Sequence, residues 1–85
     1  MNGSYLITFR SITYAQKGER LLKEMGIPCT LQRTPKALTR QGCGYCLRLG
    51  KCDIVAVMAR LKSRQAVYGK LYTVNEDGSV EEWRL

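Results

Sequence analysis

The stretch Gly44-Tyr45-Cys46-Leu47-Arg48-Leu49 decides the fold. Tyr45, Leu47 and Leu49 alternate with Cys46 and Arg48, and a period of two puts one set of side chains on each face of a pleated strand. If residues 44–49 are a strand, Cys43 and Cys46 point to opposite faces, and the C-x-x-C they form is not a ready-made ligand pair. If the same residues were a knuckle followed by a helix, the two thiols would open a zinc site. The alternation favours the strand, and that constrains everything on either side.

Upstream, Thr34-Pro35 removes a backbone donor and closes a strand over residues 29–33 that Ile27-Pro28 opens. Before it, Ala15, Gly18, Leu21, Leu22 and Met25 fall on one face of a helix over residues 12–25. Ser11 or Thr13 offers its N-cap, Gln16 stands in capping-box spacing from Thr13, and Gly26 fits the left-handed position past its end. The chain starts with Tyr5-Leu6-Ile7-Thr8-Phe9, rich in aromatic and β-branched residues, as a first strand. Downstream, Asp53 caps a second helix with Ile54, Val57, Met58, Leu61 and Gln65 at helical spacing. A strand over residues 67–74, the turn signal Asn75-Glu76-Asp77-Gly78 and a short strand over 80–85 complete the chain.

This order, β-α-β-β-α-β plus one further strand, predicts an α+β fold of ferredoxin-like type. An antiparallel sheet of order 4-1-3-2 would carry both helices on one face, with an extra C-terminal strand. Eighty-five residues suit a single domain, 1–85, with a modest core. A core of that size leaves room for a homo-oligomer or a partner to add stability. The fold hosts many functions and names none.

Composition narrows the classes. The N-terminal residues lack the apolar region of a signal peptide, and the longest wholly apolar run, residues 54–59, falls far short of the ~20 residues a membrane helix needs. A cytoplasmic protein without membrane association is the expectation. The net charge is +7, and residues 1–75 alone hold thirteen basic and three acidic side chains. Such a body attracts anions: an acidic partner protein, nucleic acid or small anionic ligands. There is no histidine and no evident general base, so independent catalysis is not expected, and no cofactor motif is present.

The predicted topology also sorts the four cysteines. Cys43, opening the third strand, should lie near Arg10, Ser11 and the N-terminus of the first helix. Cys29 and Cys52 should lie at the other end, and Cys46 midway. A four-thiolate zinc site built from Cys29, Cys43, Cys46 and Cys52 would have to span a strand of roughly 20 Å at ~3.4 Å per residue. Cys29, Cys46 and Cys52 read as small hydrophobes. Cys43 differs, because Gly42 and Gly44 flank it and leave backbone N–H groups unshielded where an anion can sit. Arg40 is three residues away, and the positive potential favours the thiolate, the form that attacks and carries sulfur.

The run Tyr5-Leu6-Ile7-Thr8-Phe9-Arg10-Ser11, then Ala15, Glu19, Leu22 and Gly26, followed by Thr34-Pro35-Lys36 and Cys43-Gly44, resembles a family of short proteins described as Se/S carrier-like. The resemblance implies that Cys43 is the family's shared cysteine, holding a persulfide or selenide-derived group. It also implies that Pro35 and Lys36 stand for the family's Pro-Arg pair. One residue more than in the family pattern separates Pro35 from Cys43, and Gly42 reads as the insertion. Cys29, Cys46 and Cys52 match no family position. The partners so implied are donor and acceptor proteins of sulfur or selenium metabolism. Two other readings compete. In one, an RNA-binding sheet stacks bases on Tyr5 and Tyr45; in the other, a structural or regulatory subunit has inert thiols.

Overall fold

The structure is a computed structural model that describes residues 4–36 and 44–83. In chain order its elements are β1 (Ser4–Phe9), α1 (Ile12–Glu24), β2 (Cys29–Arg33), β3 (Tyr45–Leu49), α2 (Ile54–Ser63), β4 (Leu71–Val74) and β5 (Val80–Glu82). The strands form one sheet of order β2-β3-β1-β4-β5 in which every neighbouring pair is antiparallel. Read from the other edge, the order is β5-β4-β1-β3-β2.

The alternation in β3 does what the sequence requires of it. Ile7 pairs with Leu47 and with Leu71, and Leu31 pairs with Leu47, so one row of apolar side chains crosses four strands on one face. Ile7, Phe9, Leu47, Leu49 and Leu71 join Ala15, Leu21 and Leu22 of α1 and Ile54, Val57, Met58 and Leu61 of α2 in one buried cluster. Fully burying side chains of this size contributes about 1.5–3 kcal/mol each, and this cluster is what holds both helices to that face. Gly18 lets α1 approach closely: a Cβ there would lie 2.9 Å from Phe9 Cζ and 3.2 Å from Leu47 Cδ1.

Both helices are stopped in the same way. Ser11 caps α1, its Oγ accepting from the Tyr14 N–H at 3.3 Å, so the cap is Ser11 and not Thr13. Asp53 caps α2, its Oδ1 accepting from the Ala56 N–H at 3.2 Å. At the other end of α1, the N–H of Gly26 donates to the Lys23 carbonyl and that of Ile27 to the Leu22 carbonyl, with Gly26 at φ 75°. At the end of α2, the N–H of Gln65 donates to Lys62 and that of Ala66 to Leu61, with Gln65 at φ 59°. These are two Schellman closures. Gln65 therefore does not extend the apolar face of α2, as its spacing predicts. It is exposed and left-handed, and the chain turns there.

The fourth strand is shorter than residues 67–74. Opposite Thr8 the ladder is interrupted: the Gly69 N–H donates to the Thr8 carbonyl at 2.6 Å, while the Lys70 N–H donates to the Thr8 hydroxyl at 2.8 Å. Two residues thus face one, the signature of a bulge, and regular pairing begins only at Leu71. The fifth strand ends at Glu82, and residues 84 and 85 lie outside the described residues. Among the described residues, no helix is long and apolar enough to cross a membrane.

Candidate functional site

The register places the site at one end of the sheet. Tyr45, the first residue of β3, pairs with Phe9 on one side and Arg33 on the other. Gly44 is therefore at the end where β1 runs out into Arg10, Ser11 and α1, as the predicted topology requires. Its carbonyl accepts from the Thr34 N–H at 3.2 Å, which pins together the two sides of the loop beginning at residue 34. Cys43, Gly42 and Arg40 lie outside the described residues, so the structure gives the fixed neck from which Cys43 departs and not the thiol.

Around that neck the chain gathers positive charge. Arg10, Arg33, Pro35 and Lys36 are exposed. The Arg33 guanidinium lies 5.5 Å from the centre of the Tyr45 ring, a cation–π contact that steadies both. Because α2 runs back toward this end before Gly69 meets Thr8, Arg60, Lys62, Arg64 and Lys70 come to the same end of the molecule. The acidic residues are elsewhere. Glu19 and Glu24 are in the second half of α1, Asp53 starts α2, and Glu76 and Asp77 form the turn after β4. Glu82 alone reaches toward the basic end, and it is paired with Lys70 at 3.5 Å.

Ser11 is at the expected position, but its hydroxyl oxygen is used as the α1 cap. Gly44 is not held to glycine by the fold. Its backbone is not left-handed, and a Cβ built there would meet nothing within 4 Å.

The three described cysteines are disfavoured as thiolates by position. Cys46 is fully buried, and its Sγ donates to the Arg33 carbonyl at 3.9 Å. Burial pushes its thiol above the ordinary range, against weaker opposing pulls from Thr34, Gln32 and Arg48. The Thr34 hydroxyl itself, also buried, has no hydrogen-bond partner of good geometry. Cys29 is raised by burial and then by Glu19, with Lys23 opposing, and Cys52 by burial and then by Asp53. Each is therefore a neutral thiol at pH 7; Cys29 and Cys52 pack against the core cluster, and Cys46 is buried on the other face of the sheet.

The four-thiolate alternative fails on register. Cys29 pairs with Leu49 and Cys46 pairs with Gln32, so the two sulfurs are on opposite faces and three residues, about 10 Å, apart along the sheet. One tetrahedral ion needs all four at ~2.3 Å. Among the described residues no group of three His, Cys, Asp or Glu is placed to hold a metal. Tyr5 and Tyr45 are likewise on the helix-covered side, packed against the core, and not on the opposite face where a base-stacking platform would form.

Arg33 and Tyr45, neither of them a candidate beside Cys43 on sequence grounds, join this end through the register of β2 and β3. Each directly abuts the Thr34–Gly44 neck in sequence. The cue was available in the pairing of a strand's last residue with the next strand's first.

No curated protein and no solved structure matches the chain significantly. The sequence profile of a family described as "Putative Se/S carrier protein-like" matches residues 4–73. That span runs from β1 to the penultimate residue of β4 and includes the Thr34–Gly44 neck. The chain belongs to this Se/S carrier protein-like family.

Proposed function

We propose that Cys43 carries a terminal sulfur or selenium atom from a donor protein to an acceptor. The observation that carries this reading is the basic end of the sheet. The residue bonded to Cys43, Gly44, sits at a pinned neck among Arg10, Arg33 and Lys36, and this setting favours both a thiolate and the anionic terminal atom of a persulfide. Arg40 and the N–H groups beside Gly42 and Gly44 would add to it.

Loading is a thiol exchange. The Cys43 thiolate attacks the terminal sulfur of a donor persulfide, an S–S bond forms, and the donor leaves as its own thiolate. Delivery reverses this: an acceptor thiolate takes the terminal atom and Cys43 is restored. No net oxidation occurs, and a terminal selenium would follow the same course. The donor and acceptor would dock through acidic surfaces. We also read the sheet as ferredoxin-like with β5 added, since 2-3-1-4 is 4-1-3-2 seen from the opposite edge.

Intact-protein mass spectrometry after incubation with glutathione persulfide tests the proposal. The wild type should gain one sulfur atom, removable by dithiothreitol, and Cys43→Ser should gain none. A variant with Cys29, Cys46 and Cys52 all changed to Ala should load as the wild type does. Equal loading of Cys43→Ser would overturn the assignment.

A further inference from the structure

The fifth strand creates a second feature, separate from the thiol. α1 packs over β1, β2 and β3 and touches α2, while neither helix packs on β5. The sheet is therefore wider than its helical cover, and a groove of about 410 Å³ opens between α2 and the β4–β5 hairpin. Met58 and Leu71 line it as buried apolar residues, with Tyr68 half-buried and Trp83 36% exposed. Lys62, Lys70 and Glu82 supply its charge. A smaller cavity of about 260 Å³ shares Lys62 and Tyr68 and continues past Val67.

Trp83 is not loose. Its backbone N–H donates to the Leu71 carbonyl at 2.8 Å, and its ring stacks on Tyr5 at 5.8 Å between centroids and 17° between planes. A held indole, a neighbouring phenol and a methionine make a surface for a flat ring, and a stacked base is worth about 1–3 kcal/mol on such a surface. Lys70 is already matched by Glu82 at 3.5 Å. Lys62 is exposed at the same mouth, at the end of the molecule where Arg60 and Arg64 add positive potential. An anion beside the ring is therefore favoured over a neutral ligand, and the volume lies within the range of small-molecule sites.

From this combination we infer that the groove between α2 and the β4–β5 hairpin binds a purine nucleoside phosphate. The base stacks against Trp83 and Tyr68, and the phosphate pairs with Lys62. The site does not involve Cys43 and does not depend on the carrier reading.

Trp83 is the single tryptophan of the chain, so its fluorescence reports on this groove alone. Titration of the full chain with AMP should quench it saturably, adenosine should bind more weakly, and ribose 5-phosphate should leave the emission unchanged. Lys62→Glu, at an exposed position, should weaken AMP by about tenfold or more, the loss of one charge-assisted contact. Lys23→Glu, at the other end, should leave it unchanged. Trp83→Ala, followed by calorimetry, should abolish binding. Tighter binding of a short oligoadenylate than of AMP would assign the phosphate to an RNA end, and equal or weaker binding to a free nucleotide. No saturable change with AMP, equal affinity for adenosine, or unchanged affinity in Lys62→Glu would each overturn the inference.

Discussion

A methyl group on Gly18 would sit 2.9 Å from the ring of Phe9 and 3.2 Å from Leu47, both fully buried and with nowhere to move. In an exposed helix, Gly→Ala gains up to about 1 kcal/mol. Here overpacking costs about 1–3 kcal/mol and outweighs that gain. Gly18→Ala should therefore lower stability by about 1–2 kcal/mol, read as a lower urea midpoint with an unchanged slope. The sequence shows Gly18 on the apolar face of its helix, but not which ring it faces, because that needs the register of β1 against α1. For the cysteines, the alternation of β3 argues against a shared metal site from sequence, and the pairing of Cys29 with Leu49 and of Cys46 with Gln32 puts those two on opposite faces.

The elements differ most in how they end. Both helices close in a Schellman motif, α1 with Gly26 at φ 75° and α2 with Gln65 at φ 59°. A left-handed residue with a Cβ costs about 1–2 kcal/mol, and glycine returns about 0.4–1 kcal/mol of that to the unfolded chain. The balance favours glycine. Gln65→Gly should raise stability by about 0.5–1 kcal/mol and Gly26→Ala should lower it by a similar amount, both measured by thermal or urea unfolding. Helix spacing counted Gln65 as part of the apolar face, since periodicity carries no information about φ. The start of β4 was hidden for a related reason. The bulge at Gly69 and Lys70 depends on the Thr8 hydroxyl, sixty-two residues away, and no local pattern around residues 67–70 announces it.

Charge is organised over the whole molecule. Arg10 after β1, Arg33 of β2 and the basic residues at the end of α2 meet at the end that holds Gly44, and the acids collect toward the other end, apart from Glu82 on its lysine. Net charge alone would make all basic residues equivalent toward a polyanion, whereas a polarised surface does not. Changing Arg33, Arg60 and Arg64 to Gln should therefore move elution from heparin to clearly lower salt than changing Arg20, Lys23 and Lys51 to Gln, although both triple variants lose the same charge. Equal elution would mean that the segregation has no consequence for binding.

What the sequence by itself determined is local or periodic. It determined the alternation of β3, the apolar faces of both helices, the cap at Asp53 and the left-handed Gly26. These follow from side-chain period and backbone preference, which neighbouring residues carry between them. Only the tertiary structure decided the rest: the pairing of Arg33 with Tyr45 at the neck beside Cys43, the gathering of α2's basic residues at the same end, the bulge opposite Thr8, and the groove that β5 opens beyond the reach of the helices. Each of these joins residues far apart in the chain, and their distances are set by strand register and helix packing.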